Sequence, residues 1–338
     1  MMMRKMKWIA AGIAGLAMLA SGAARAEPLV LMTWGGVWQK TFQELAAKYK
    51  EKTGKEVTVI AQGGGDAGIA RLIAQKDKPE VDLWTTNMIN YIRALDAKLL
   101  EPLDIKEIPN AADVDKKLVF SHAITAWVSQ RGIFYRKDLV PFEPKEWKDL
   151  WDPRLKGKIA APAATFDPGY FPLMAAVING GNEKNLDPGF ANLAKLKGSV
   201  ASFYTNNVQS IRLLEAGEVA LVAWGIMPNV VQHLGPDSKY GFVIPKPAFV
   251  AETPITVVAG TTKKKEALEF INFVLSVEVQ EVLSKALGSA PANSKAQPPA
   301  SIKPILKDVS NNYVVDYRVL RDDLSKIIDR YDREVMAR

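Results

Sequence analysis

The side chains best suited to hold a small molecule follow short apolar runs. They are Trp34, Gly35 and Trp38 after LVLMT, Gly65 and Asp66 after VTVIAQGG, and Thr86 and Asn87 after VDLWT. Later in the chain come Thr165, Asp167 and Tyr170 after KGKIAAPAA, Tyr204 and Asn207 in VASFYTNN, and Trp224 closing VALVAW. Aromatic faces attract cations, a desolvated ammonium requires a carboxylate, and clustered N–H groups suit an anion. This is the chemistry of noncovalent capture.

Catalysis has less to work with. His122 and His233 are the only histidines, they lie far apart without a neighbouring acid, Cys is absent, and no G-x-S-x-G occurs. Neither a metal cluster nor a common nucleophile is indicated, and the expectation is a protein without enzymatic activity, metal or cofactor. A paired-carboxylate hydrolase is the enzyme class left open, because separation in space is invisible in sequence.

One motif argues for a cofactor. Gly63, Gly65 and Gly68 match G-x-G-x-x-G after the strand-like VTVI, and Glu80 and Asp82 follow at roughly the distance of a ribose-binding acid. In a dinucleotide fold, however, that acid ends the second strand, whereas Asp82 opens VDLWTT and Glu80 precedes it. The glycines are therefore expected at the mouth of a binding cleft, either contacting the ligand through N–H groups or forming a plain strand-to-helix turn.

Alternating strands and helices must position these groups. LVLMTW reads as a buried strand, and Trp38, Phe42, Leu45 and Tyr49 form the apolar stripe of a helix ending at Thr53-Gly54. VTVIAQ, a helix from about 66 to 75, VDLWTT and a helix from about 88 to 99 complete a β-α-β-α-β-α order. That order predicts a mostly parallel sheet covered by helices, with ligands at the carboxyl ends of strands. AITAWVSQRGIFYRKDL predicts two extended stretches joined by Ser129-Gln130-Arg131-Gly132. KGKIAAPA, FPLMAAVIN, VASFYT, VQSIRLLEAG and VALVAW repeat the pattern. Trp127, Trp147 and Trp151 are expected in the core or on a lobe surface.

Residues 1–26 carry a basic head with Arg4, Lys5 and Lys7, an apolar run, and Ala24-Arg25-Ala26. This is the pattern of a secretory leader cleaved after Ala26, and the run is short for a membrane span. A soluble protein of a Gram-negative periplasm is expected, where nicotinamide cofactors do not circulate. Removing the leader takes four basic residues and no acid, so the formal charge falls from +7 to +3. No basic tract interleaved with aromatics suggests nucleic acid.

Several segments in order, TWGGVW, KYKEKTGKEVTV, VDLWTTN, LLEPLD, EWKDLWDPRLKGKIA, SIRLLEAGEVALVAW and KKKEALEFINFVLSVEVQEVLSKALGSAPANSKA, resemble the solute-binding proteins of ABC importers, of the spermidine/putrescine-binding type (family 1). The resemblance implies a two-lobed α/β periplasmic-binding-protein fold of type II, each lobe a mostly parallel sheet flanked by helices, with the ligand cleft between them. Lobe one is then about 27–130 plus 254–300, and lobe two about 131–253, with helices in 301–338 packing on lobe two. It further implies a monomer that closes on a solute and delivers it to an inner-membrane permease. A polyamine is favoured. Trp34, Trp38, Tyr204 and Trp224 then cover the methylenes, while Asp167 and Glu252-Thr253 stand where amine-binding acids belong. Thr86, Asn87, Thr165, Asn207 and Thr256 equally suit a carboxylate or phosphonate, so an organic anion or amino-phosphonate is the alternative. A hydrolase or sensor partner ranks third. On this reading Trp34→Ala and Trp224→Ala weaken binding without disturbing the fold.

Overall fold

The structure, a computed structural model, describes residues 27–306 and 312–337; the expected leader and its cleavage site lie outside the described residues. The first half begins with β1 (Leu29–Trp34), α1 (Val37–Thr53), β2 (Val57–Gln62), α2 (Gly65–Ala74), β3 (Leu83–Thr85) and α3 (Met88–Asp96). The stripe of α1 behaves as its spacing demands, burying Phe42, Leu45 and Tyr49, with Trp38 half-buried. After β4 (Val119–Phe120), the chain enters one unbroken 14-residue strand, β5 (Ala123–Arg136). Two stretches were expected there. Polar Ser129, Gln130 and Arg131 do not interrupt the strand: Ser129 and Gln130 pair with β10, Arg131 pairs with β8, and all three are buried.

The second half contains β6 (Ile159–Pro162), α4 (Tyr170–Val177), α5 (Asp187–Leu196), β7 (Val200–Tyr204), α6 (Asn207–Ala216), β8 (Leu221–Ile226), α7 (Met227–Val230) and β9 (Tyr240–Val243). The chain returns through β10 (Val250–Val257) to α8 (Lys264–Val274), α9 (Val277–Leu287) and β11 (Ala290–Pro291). It closes with α10 (Tyr317–Asp322), α11 (Leu324–Tyr331) and a π-helical turn at Asp332–Met336.

Strand order along the sheet is β2-β1-β3-β10-β5-β8-β6-β7. β1, β2 and β3 are parallel, and so are β6, β7 and β8, but β10 and β5 run antiparallel to their neighbours. The sheet is therefore mixed rather than mostly parallel. Its centre consists of the connecting strands themselves: the start of β5 pairs with β10, and from Arg131 onward it pairs with β8 and β9. β10 also carries a register shift between Thr253 and Pro254. Proline cannot donate to a ladder, so a bulge is the expected accommodation, and bulges re-aim neighbouring side chains.

The glycine motif has a packing role. A Cβ on Gly68 would lie 2.1 Å from Gln62 Oε1 and 3.0 Å from Trp84 Nε1. Those two groups are already joined: Trp84 Nε1 donates to Gln62 Oε1 at 2.7 Å, and Gln62 Nε2 donates to the Thr85 carbonyl at 3.0 Å. Gly68 lets α2 close over this buried pair. Gly68→Ala is expected to lower stability by about 1–3 kcal/mol through displaced hydrogen bonds and overpacking; an unchanged denaturation midpoint would refute this role. Asp82, on the other side of the motif, accepts from the Val30 N–H at 2.8 Å and pairs with Lys263 at 3.4 Å, away from the glycines. Glu80 accepts from Gln75 at 2.6 Å. Asp82 thus ties β1 to the segment before β3, whereas Glu80 is exposed and bonds to the end of α2.

Candidate functional site

Parallel pairing aligns strand ends. Trp34 is level with Gln62, and Met32 with Trp84, so the loops after β1, β2 and β3 meet on one rim. Pro162 is level with Tyr204 in the second half, which brings the loops after β6 and β7 together likewise. Between the two sets run β5 and β10.

At this junction sits Arg131, only 5% exposed. Its Nε donates to Asp167 Oδ2 at 2.7 Å, and Trp224 Nε1 donates to the same oxygen at 2.8 Å. Asp167 follows β6 with a φ of 52°, a left-handed conformation that Asp tolerates better than most residues. The turn thereby delivers its carboxylate to a cation and an indole at once. Arg131 Nη1 is buried without a hydrogen-bond partner among the described residues. An unpaired guanidinium N–H in such a place costs about 1–3 kcal/mol or more unless a ligand or water meets it.

Glu252, partly buried on β10, lies across from Val128 of β5. It accepts a hydrogen bond from the Tyr317 hydroxyl. Burial pushes its carboxyl above the ordinary 4.5, while the Tyr317 hydrogen bond and Arg131 pull the other way. Burial also holds the hydroxyls of Tyr170 and Tyr317 well above the usual range. Because the native carboxyl of Glu252 keeps its proton to higher pH than the unfolded one, stability falls as pH rises from about 4.5 toward the native pKa. Glu252→Gln is therefore expected to stabilise the protein at neutral pH, with the gain vanishing below the unfolded pKa, while weakening capture of an ammonium. Denaturation from pH 4 to 8 checks the sign; a gain that grows on acidification would contradict it.

The structure gathers only some of the expected site residues. Trp34 and Gly35 at the end of β1, and Trp38 in the first turn of α1, are half-buried. Gly65 approaches Trp34 so closely that a Cβ would sit 3.4 Å from Cη2 of the indole and 2.2 Å from Asn90 Nδ2. Asn87 caps α3 by accepting from the Asn90 N–H at 2.8 Å. Thr86 is fully buried, with a hydroxyl lacking a partner among the described residues. Its N–H donates to the Pro254 carbonyl at 3.2 Å, tying this rim to β10 beside the bulge and the buried Thr253.

Others are placed differently. Trp224 is 1% exposed and packs against Trp147, Phe171 and Phe249, with ring centroids 5.3, 5.9 and 5.8 Å away. Its ring faces a core, correcting the expectation of an open aromatic wall, and only Nε1 points toward the carboxylate. Tyr204 is fully buried, stacked edge-on against Phe166, and donates to the Trp224 carbonyl at 2.8 Å. Thr256 spends its hydroxyl on the Trp84 carbonyl at 3.1 Å. Asp66 is exposed and paired with Arg93, and Thr165 is exposed. Asn207 opens α6 half-buried, while Asn206 makes the cap by accepting from the Gln209 N–H at 2.9 Å. Trp127 and Trp147 are buried and Trp151 is partly buried. His122 contacts Ser121, and His233 packs on Phe134 and Tyr240.

Sequence reasoning passed over Arg131 and Tyr317. The signal for Arg131 was present: a single Arg inside an otherwise uncharged run of strand-forming residues is rarely buried without a purpose.

An α/β architecture with strand-end loops meeting over a pair of connecting strands, and a charged cluster at their junction, defines a receptor for a small solute. Residues 44–308 match the profile of bacterial extracellular solute-binding proteins, and the chain belongs to that family. A Salmonella typhimurium protein provisionally named as a 2-aminoethylphosphonate-binding periplasmic protein is 25% identical over 260 residues, covering 74% of this chain and 73% of that one. The gamma-aminobutyric acid-binding protein of Pseudomonas aeruginosa is 22% identical, covering 82% and 81%. The spermidine/putrescine-binding periplasmic protein of Escherichia coli is 22% identical, covering 86% of each chain. The fold is shared with the crystal structure of an ABC transporter from Clostridium perfringens, with a TM-score of 0.76 at 24% identity, over 91% of this chain and 99% of that one.

Proposed function

We propose that this protein captures a small zwitterionic solute, an ω-amino phosphonate or ω-amino carboxylate, in the periplasm and delivers it to an ABC-type importer. Capture proceeds by closing a lobe of residues 27–130 and 254–300 onto a lobe of residues 131–253. Ligand binding favours the closed form to the extent that the solute touches both lobes.

The carrying observation is Arg131 Nη1, a buried cationic donor without a partner among the described residues. It suits a phosphonate or carboxylate oxygen, with Thr86 Oγ1 as a second unmatched donor. Glu252, with Asp167 behind Arg131, supplies the negative charge an ammonium requires, and the half-buried Trp34 and Trp38 cover the methylenes. A polyamine has no anionic end, so it would leave Nη1 unmatched and bring more positive charge toward a buried guanidinium. That arrangement favours the zwitterion over the polyamine that the sequence resemblance suggests. The relatives named for 2-aminoethylphosphonate and gamma-aminobutyric acid are named for solutes of this class.

Thermal unfolding of the purified chain against 2-aminoethylphosphonate, gamma-aminobutyrate, putrescine and spermidine tests the reading. A solute at a hundred times its dissociation constant adds about 2.7 kcal/mol. Stabilisation is expected from at least one zwitterion and from neither polyamine. Stabilisation by polyamines alone would overturn the assignment of charge and leave the transport role standing.

A further inference from the structure

The C-terminal segment does not stay on one side of the sheet. α11 and the turn after it belong to the second half: Tyr331 donates to the Pro162 carbonyl at 2.9 Å, and Arg330 pairs with Asp187 of α5 at 2.6 Å. α10 reaches the first half. Arg321 pairs with Asp96 at the end of α3 at 2.6 Å, and Arg318 approaches the same carboxylate at 3.4 Å. The two cations hold that carboxyl below its usual range, Arg321 contributing most.

Between these anchors α10 lies on the site. Leu320 is fully buried, and its side chain fills the space beside Gly169, where a Cβ would meet it at 2.9 Å. Gly169 belongs to the same turn as Asp167. Tyr317 packs against Tyr170 with ring centroids 6.1 Å apart and donates to Glu252. One short helix thus touches α3, the Asp167 turn and the carboxylate of β10. Its ion pairs are surface pairs of modest strength. The burial of Leu320 and Tyr317 is what seats it, and the pairs to Asp96 choose where.

We propose that α10 is a clasp within the binding site. Tyr317 positions the Glu252 carboxylate for the ammonium end of the solute, and attachment to Asp96 couples that position to closure of the two halves. The ammonium assignment rests on the zwitterion reading above; the clasp itself does not. Groups facing Glu252 are Tyr317 from α10, Tyr170 from α4 and Arg131 from β5, with Asp167 beside Arg131. Of these, the Tyr317 hydroxyl is the one that donates directly to the carboxylate.

The test compares wild type, Tyr317→Phe and Asp96→Lys. Calorimetric titration uses 2-aminoethylphosphonate and its amine-free counterpart ethylphosphonate. Tyr317→Phe keeps the ring but removes a hydrogen bond to a charged group, so affinity for 2-aminoethylphosphonate is expected to fall about tenfold with that for ethylphosphonate unchanged. Without the donor, Glu252 holds its proton to higher pH, so the acid limb of 2-aminoethylphosphonate binding moves upward. Equal effects on both probes, or an unmoved acid limb, would overturn the positioning role. Asp96→Lys sets three cations together where α10 meets α3. Small-angle scattering of the ligand-free chain is then expected to show a larger radius of gyration than wild type. An unchanged radius would overturn the clasp. A wild type that binds neither probe while Asp96→Lys still expands would remove the zwitterion reading and Tyr317's role in it, and retain the clasp.

Discussion

Arg131→Met is expected to remove measurable binding of 2-aminoethylphosphonate, an affinity loss of about a hundredfold or more. Arg131 is 5% exposed, and its Nη1 has no partner among the described residues. Methionine fills much of the volume but offers the anion neither charge nor donor. The substitution also strands Asp167, which accepts from Arg131 at 2.7 Å and would keep, among the described residues, the Trp224 indole at 2.8 Å. Removing one partner of a buried pair lowers stability by about 3–5 kcal/mol, so affinity and unfolding must be measured together. Arg131→Lys separates the two effects. A lysine still pairs with Asp167 and preserves most of the stability, but its single ammonium cannot hold Asp167 and the ligand in the forked geometry of a guanidinium. Affinity is then expected to fall about tenfold or more with the fold retained. Full affinity in Arg131→Lys would assign the anion to another donor.

Trp224→Ala is expected to be chiefly a stability mutant, lowering unfolding free energy by about 3–5 kcal/mol. The indole is enclosed by Trp147, Phe171 and Phe249. Alanine would leave a cavity and withdraw one hydrogen bond from Asp167. Trp224→Phe retains much of the packing and loses the Nε1 donor, so a smaller loss of about 1.5–3 kcal/mol is expected, the usual range for a hydrogen bond to a charged group. Chemical denaturation of both variants checks the order. A Trp224→Ala protein as stable as wild type would restore the open aromatic wall that the sequence suggested.

The contrast between Trp34 and Trp224 marks where local pattern stops being informative. In sequence both close apolar runs and both precede glycine, so they read alike, although β8 in fact continues through Gly225 and Ile226. Trp34 stays half-buried at the rim, whereas Trp224 is closed in by Trp147 and Phe249, 77 and 25 residues away in sequence. Direction along a strand is local, but what covers its end is not. The same limit hid Tyr317, which lies 65 residues from Glu252.

The sequence by itself determined the alternation of strands and helices, because periodic burial and turn chemistry act over a few residues. α1 with its apolar stripe, and α6 capped by Asn206, fall where those patterns predict. The order and spacing of its segments also carried the solute-binding family, though not its polyamine type. Tertiary structure alone decided that β5 is one strand shared by both halves, that Arg131 meets Asp167 across 36 residues, and that α10 returns to Glu252. These outcomes depend on desolvation and charge pairing between distant segments. A buried charge is stable only beside its partner, and which groups become partners is settled when the strands pair.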